Sequence, residues 1–164
     1  IRSMLPVCDE VWVGVGKSED ATLELIQGIE SDKIRILETI WDDSLREGGR
    51  VLAVETNKVI DASPEDSDWL FYLQGDEVLH EKDHQILRES MQKYADDPEV
   101  EGLLFKYKHF YGSYDYLATS RQWYRQEIRV VRRDAAIRSY KDAQGFRKNN
   151  QKLKVKWSGA EIFH

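Results

Sequence analysis

Two adjacent carboxylates, Asp76 and Glu77, follow an apolar run at 69–74 that has the composition of a buried strand. Like charges held together near a low-dielectric core repel each other, so they need a cation or hydrogen-bond donors to offset them. Oxygen ligands suit Mg²⁺ or Mn²⁺, which complete their coordination shell with water and substrate phosphates. The pair therefore predicts a divalent metal site. The alternative is that both acids begin the next helix, whose dipole favours negative charge.

A second candidate site is the glycine pair Gly48 and Gly49, which Arg50 follows at the start of an amphipathic stretch over 48–62. Glycine lets the backbone approach a ligand closely, and the N–H groups of a helix N-terminus favour phosphate. Arg50 would add a charge-assisted hydrogen bond. We interpret the segment as a phosphate-binding loop, with a simple turn before a helix as the alternative.

Aromatic residues are concentrated at 107–124, which holds seven of the chain's eighteen. Aromatic faces pack against the apolar faces of sugar rings, and tyrosine hydroxyls supply hydrogen bonds. The segment predicts a platform for an acceptor sugar, although half of these side chains are expected to be ordinary packing. The platform residues are Tyr111, Tyr114, Tyr116 and Trp123.

The elements that must position these residues alternate between strand and helix patterns through the first 110 residues. The order predicts an α/β fold with a mainly parallel sheet flanked by helices. Ligands of such sheets lie at the carboxyl ends of the strands, where Asp76 and Glu77 fall. Beyond residue 110, short strand patterns without long helices predict added antiparallel strands in the C-terminal half. The predicted strands of the first half are 10–16, 33–39, 69–74 and 101–110, with helices between them.

Composition limits the class of protein. The 164 residues carry a net charge of −6 with both signs interspersed, so there is no basic stripe and nucleic acid is not an expected partner. Cys8 is the single cysteine, and no apolar run approaches the roughly 20 residues of a membrane span. We expect one cytoplasmic domain over 1–164, cut at both ends and missing a first strand upstream of Ile1.

Five segments occur in the order expected of a family 2 glycosyltransferase with the GT-A fold, and the chain resembles the bacterial subset of that family. The resemblance covers nearly all of the sequence, and the order of the segments carries it. The segments are VGVGKSEDAT at 13–22, GGRVLAVETNK at 48–58, WLFYLQGDE at 69–77, KDAQGFR at 141–147 and IFH at 162–164.

The resemblance implies a metal site built on an Asp-x-Asp motif, in which Gln74 stands where the family has its first acid. Asp76 is then the metal ligand, and Glu77 binds through water or orients Asp76. Gln74 can hydrogen-bond a ribose hydroxyl, but its neutral amide is a weaker metal ligand than a carboxylate. We therefore expect weaker metal affinity. His164 would complete the metal shell, with an ordinary strand histidine as the alternative.

For the nucleotide-sugar donor, the resemblance implies contacts from Ser18 and Asp20, from Gly49 and Arg50, and from Asn57 one helix later. Ser18 and Asp20 are also good helix caps, which is the alternative interpretation. An acid that contacts the base in this family is absent near Val15, so the sequence does not identify the nucleotide.

Inverting transfer requires a carboxylate that removes the acceptor proton as the hydroxyl attacks the anomeric carbon. The resemblance points to Asp142 as this general base, with Glu127 as its competitor. The alternatives are ion pairs, Asp142 with Arg147 and Glu127 with Arg129.

Together these features predict a metal-dependent inverting glycosyltransferase of the hexosyltransferase type, active in making cell-envelope polysaccharide. It would move a sugar from a nucleotide-diphosphate donor to a carbohydrate or lipid-linked acceptor. Two other classes stay open: a nucleotidyltransferase, and a non-catalytic domain that binds sugar or nucleotide.

Overall fold

The computed structural model describes all residues, Ile1–His164, of which 32% lie in strands and 23% in helices. The α-helices are α1 (Thr22–Gln27), α2 (Arg50–Ala62) and α3 (His84–Lys93), and single 3₁₀ turns lie at Asp43–Leu45, Glu47–Gly49 and Glu81–Asp83. The strands are β1 (Val11–Gly16), β2 (Ile34–Thr39), β3 (Trp69–Phe71), β4 (Val78–Leu79), β5 (Gly102–Lys108), β6 (Phe110–Tyr111), β7 (Ser113–Leu117), β8 (Gln126–Arg132), β9 (Ile137–Tyr140), β10 (Gly145–Lys148), β11 (Gln151–Lys152) and β12 (Val155–Phe163).

The strands form four separate sheets. β1 and β2 make a two-stranded parallel sheet, joined through α1 as the β-α-β pattern predicts. The largest sheet has the order β3-β8-β5-β12-β4, and its only parallel neighbours are β5 and β12. β9, β10 and β11 form an antiparallel sheet, and β6 with β7 forms a hairpin.

The predicted fold class is wrong: there is no mainly parallel sheet flanked by helices, and the structure is mostly sheet with a mixed, curled main sheet. The prediction assumed that strands separated by helices would be neighbours in one parallel sheet. Instead β3 pairs antiparallel with the distant β8, and β4 pairs antiparallel with β12. Alternation along the chain therefore located elements but did not identify their partners.

The main core lies between α3 and the large sheet. Leu87 of α3 is fully buried against Leu103 and Phe105 of β5, Val130 of β8 and Ile162 of β12. Burying each of these side chains contributes about 1.5–3 kcal/mol. Their packing holds β5, β8 and β12 in place, and the candidate site lies at one end of these strands.

Helix α2 connects the sheets. Its Val59 packs so closely on Gly14 of β1 that a Cβ there would lie 2.6 Å from the Val59 methyl group, so glycine is required for this approach. On the other side Ile60 joins a second core cluster with Val131 and Phe146. The β1–β2 sheet is therefore attached to the rest of the molecule largely through α2.

None of the helices is long and apolar enough to span a bilayer.

Candidate functional site

The pairing of β4 with β12 brings Asp76 and His164 together. Asp76 lies in the turn that separates β3 from β4, and Val78 of β4 is opposite Phe163 at the end of β12. His164 Nε2 consequently lies 3.4 Å from Asp76 Oδ2. Two of the three predicted metal ligands thus share one location, with Asp76 exposed and His164 largely covered.

Hydrogen bonding determines which nitrogen of His164 carries its proton. His109 Nε2 lies 2.7 Å from the Tyr124 carbonyl, which only accepts, so His109 donates there. Burial lowers the pKa of His109 and favours its neutral form, in which Nδ1 accepts. His164 Nδ1, 2.9 Å away, must then donate to it. In neutral His164 this leaves the Nε2 lone pair directed at the Asp76 carboxylate.

Two acceptors that face each other at this distance need a positive charge between them. A proton on His164 Nε2 supplies one, and a divalent cation supplies another, since neutral imidazole and carboxylate are both metal ligands. Hydrogen bonds run from His164 to His109 and on to the Tyr124 carbonyl. Metal-binding histidines are usually held in orientation by such a hydrogen bond from their second ring nitrogen. Asp76 and His164 therefore fit a metal ion as a two-residue site.

Glu77 is not part of this pair, because its side chain points into the core. Its Oε1 lies 2.7 Å from Arg129 Nη2, and its Oε2 lies 3.0 Å from Arg129 Nε, which makes a bidentate ion pair. The Tyr107 hydroxyl donates to Oε1 and the Gln74 N–H to Oε2. Each carboxylate oxygen of Glu77 thus accepts two hydrogen bonds from the protein. Glu77 therefore makes structural contacts where the sequence predicted a metal ligand. No group of three or more His, Cys, Asp or Glu side chains in the chain is arranged to hold a metal ion.

Arg129 is the centre of that buried network. Its guanidinium lies 5.4 Å from the ring centroid of Tyr72 and 5.1 Å from that of Tyr107, and Nη1 donates to the Gln144 carbonyl. The predicted alternative pairing of Glu127 with Arg129 does not form, because Arg129 is committed to Glu77. Sequence reasoning missed this role, although an arginine between apolar residues of a strand is the signal that a buried partner exists.

The glycine pair and Asp142 lie against each other. Gly48 and Gly49 have φ of 64° and 70°, and a Cβ on Gly49 would lie 2.6 Å from the Asp142 Cβ. Asp142 occupies the turn between β9 and β10, flanked by Lys141 and Ala143, which also have positive φ. Its Oδ1 is buried without a hydrogen-bond partner. An unpaired oxygen at a residue whose two neighbours have strained backbone is a feature of functional positions.

Glu127, the competing base, lies close enough to Asp142 to feel its charge. Burial raises the pKa of Glu127, and the charges of Glu77 and Asp142 raise it further while Arg129 opposes them. The second alternative ion pair is also absent, since Arg147 stacks over the Tyr140 ring at 4.4 Å. The charge of one candidate base thus acts on the other and helps to raise the pKa of Glu127.

Three predicted donor contacts, Ser18, Asp20 and Asn57, have hydrogen-bond partners within the protein. Asp20 Oδ1 accepts hydrogen bonds from the Ser18 hydroxyl at 2.8 Å and from the Thr22 N–H at 3.0 Å, so Asp20 bonds the first residue of α1 and Ser18 orients Asp20. Asn57 bonds both backbone groups of Ser139, through Oδ1 at 2.9 Å and Nδ2 at 3.0 Å. Arg50 is exposed at the start of α2.

A cleft of about 1900 Å³ separates β1 from β3 and opens beside Asp76. Ser18 and Gln74 line it, so these two predicted donor contacts face one space with Asp76. Arg46, which the sequence analysis did not single out, lines it too. Its position shortly before the glycine pair was the available signal.

The aromatic platform divides in two. Tyr111, Tyr114 and Tyr116 protrude on the β6–β7 hairpin with 70%, 88% and 69% of their surface exposed, far more than packing residues have. Trp123 is half-buried, with its ring 5.0 Å from that of His109 and 6.3 Å from that of Tyr111. Trp123 therefore connects the hairpin to the Asp76–His164 pair.

No protein-family model matches this chain, and no curated protein is similar to it at a significant level. The resemblance to family 2 glycosyltransferases consequently depends on the sequence motifs alone.

Proposed function

We propose that the protein is a metal-dependent inverting glycosyltransferase that uses a nucleotide-diphosphate sugar. The observation that carries the proposal is the Asp76–His164 pair, in which two acceptors face each other at 3.4 Å beside a large cleft. Mg²⁺ and Mn²⁺ commonly take few protein ligands and fill the remaining positions with water and phosphate oxygens. A two-residue site is therefore consistent with a metal that binds together with its nucleotide.

Asp76 and His164 would hold the metal, which would offset charge on the departing diphosphate. Arg46 lines the same cleft, and its guanidinium suits phosphate oxygens. Gln74, also in the cleft, is suited to a ribose hydroxyl.

For the general base we propose Asp142, as the sequence analysis did. Its Oδ1 makes no hydrogen bond within the protein, and the residues on both sides of it have strained backbone. Glu127, whose pKa burial raises, is the second choice. The acceptor sugar would lie against Trp123 and the exposed tyrosines of the hairpin.

The test is release of a nucleoside diphosphate from a panel of sugar nucleotides, with and without Mn²⁺. We expect Mn²⁺-dependent release from one donor, and a loss of at least 100-fold in Asp76→Asn and His164→Ala. Asp96→Asn, an exposed acid elsewhere, is the matched control and should keep full activity. Unchanged release in both site variants would refute the metal assignment.

A non-catalytic domain that binds sugar or nucleotide is the second candidate, favoured by one observation. Glu77 is committed to Arg129, which leaves only two protein ligands for a metal. The same panel separates the classes: donor binding without turnover indicates the binding domain, and release of pyrophosphate indicates a nucleotidyltransferase. The hexosyl donor, the envelope polysaccharide product and the cytoplasmic location stay predictions.

A further inference from the structure

The β9–β10–β11 sheet carries a row of like charges on one face. Arg147 of β10 is paired directly with Arg138 of β9 on one side and with Lys152 of β11 on the other. Directly paired residues of antiparallel strands have their side chains next to each other on the same face. Like charges in this arrangement destabilise a sheet, so the row calls for negative charge that offsets it.

The protein's own carboxylates offset one member of this row. Arg138 Nη1 is bonded to Asp61 Oδ1 of α2, whereas Arg147 and Lys152 make no ion pair. Arg147 is half-buried, and its guanidinium makes a single hydrogen bond, from Nη1 to the carbonyl of the preceding Phe146 at 3.2 Å. A guanidinium has five N–H groups, so most of the donors of Arg147 are free for a ligand.

A second free cation lies on the same aromatic ring as Arg147. Arg147 Cζ lies 4.4 Å from the ring centroid of Tyr140, and Lys141 Nζ lies 5.7 Å from it. Lys141 is exposed and, like Arg147, makes no ion pair. Tyr140, Lys141 and Arg147, here called the cationic cluster, thus hold two uncompensated positive charges beside one ring in a chain whose net charge is −6.

The cationic cluster lies beside the two candidate bases. Lys141 directly precedes Asp142 in the turn between β9 and β10. A Cβ on Gly145 would lie 3.5 Å from Glu127 Oε2 and 3.8 Å from Tyr140 Cε1, so the Glu127 carboxylate and the Tyr140 ring approach each other across Gly145. None of the three cluster residues lines the large cleft, where the proposed function places the nucleotide. A group bound by the cluster is therefore separate from the donor phosphates and close to the groups proposed to deprotonate the acceptor.

We propose that the cationic cluster binds a carboxylate or phosphate group of the acceptor, next to the hydroxyl that receives the sugar. The inference rests on the proposed transferase activity, and it restricts the acceptor to an acidic one. Charge-assisted hydrogen bonds from a guanidinium and an ammonium suit either group. A uronic acid in a glycan and the phosphate of a lipid-linked sugar supply the same chemistry, so experiment has to separate these two sources.

The test is an NMR titration of the full chain with three sugars at low salt, where charge contributes most to binding. Methyl glucoside is neutral, methyl glucuronide carries a carboxylate, and glucose 1-phosphate carries a phosphate. We expect a charged sugar to bind about 10-fold more tightly than methyl glucoside, and we expect Arg147→Gln and Lys141→Gln each to remove most of this preference. A preference for the carboxylate indicates an acidic glycan as acceptor, and a preference for the phosphate indicates a lipid-linked sugar.

Lys93→Gln is the matched control. Lys93 Nζ lies 5.1 Å from the ring centroid of Tyr94 at the end of α3, so this lysine makes the same kind of contact with a tyrosine ring, and its variant should keep the full preference. Equal affinity for neutral and charged sugars in the parent protein would refute the proposal, and so would a preference that Arg147→Gln leaves intact. If Arg147→Gln fails to fold, Lys141→Gln gives the same readout, because it changes only an exposed side chain.

Release of a nucleoside diphosphate without added acceptor tests the transferase separately. If Mn²⁺-dependent release occurs and charged sugars bind no better than methyl glucoside, the proposed function stands and the acidic acceptor is refuted. If charged sugars bind through Arg147 and no sugar nucleotide is turned over, the proposed function fails, and the assignment of the bound anion to an acceptor fails with it.

Discussion

At the scale of single residues, the most consequential side chain is Arg129. It is 1% exposed as a side chain, and it joins Glu77 to the rings of Tyr72 and Tyr107. A buried pair of this kind is costly to desolvate, so its net contribution to stability is small while both members are present. Removing one member leaves the other charge buried and unpaired.

Replacing Arg129 by Met should therefore destabilise the protein by about 3–5 kcal/mol, because Glu77 would be left without its cation. Urea unfolding followed by circular dichroism gives the value. The double variant with Glu77→Gln is the control, and it should recover part of the loss. A loss below about 1 kcal/mol in Arg129→Met would show that the Glu77 carboxylate finds other donors.

Glu127 predicts a pH dependence of stability. The pKa of Glu127 in the folded protein is raised above the ordinary 4.5. Between the unfolded and the folded pKa, the folded protein therefore binds more protons than the unfolded chain. Stability must then fall as pH rises through that window. In Glu127→Gln this fall disappears, and the variant should be more stable than the parent at neutral pH. Urea midpoints from about pH 4 to about pH 8 test it, and parallel curves for both proteins would contradict it.

At the scale of elements, the loop before α2 offers a matched pair of glycines. Gly48 and Gly49 have similar positive φ, but only at Gly49 would a Cβ meet another residue, Asp142 at 2.6 Å. Gly48→Ala should cost about 1 kcal/mol from backbone strain alone. Gly49→Ala should cost more and should also move Asp142, lowering transfer activity. Equal stability and equal activity in the two variants would show that the loop does not position Asp142.

The elements also show how far the sequence predicts this structure. Apolar alternation located β1, β2 and α2 closely, because long periodic segments have strong patterns. β4 has two residues, too few for any period, yet its pairing with β12 brings His164 to Asp76. Sequence reasoning placed those two residues in one site only through the resemblance.

For the site, the residue types were informative and their partners were not. The charge of an acid that follows a buried strand can be offset by a metal ion or by an arginine. Although Asp76 and Glu77 are adjacent, Glu77 pairs with Arg129 and Asp76 lies beside His164. The choice depends on which side chain points into the sheet, and a turn between β3 and β4 decides that. Such a turn has no signature strong enough to predict the direction of either side chain.

At the scale of the whole molecule, the alternation of strand and helix patterns along the sequence did not predict which strands pair with each other. Most contacts of the main sheet join segments far apart, such as β3 with β8 and β5 with β12. Pairing of this kind depends on the tertiary packing of complementary faces, which the local pattern of each segment does not reveal. The fold class was therefore wrong even though most of the long elements exist.

The exposed β6–β7 hairpin determines where a protease should first cleave the folded protein. A chymotrypsin-type protease cuts after aromatic residues in weakly held loops, and an isolated hairpin is marginally stable, so the first cut should fall within 110–117. The strands on either side, β5 and β8, are bonded to each other, so the two fragments should remain associated in gel filtration and separate only in denaturant. Limited digestion thus offers a way to open the tyrosine-bearing hairpin while the Asp76–His164 pair stays assembled.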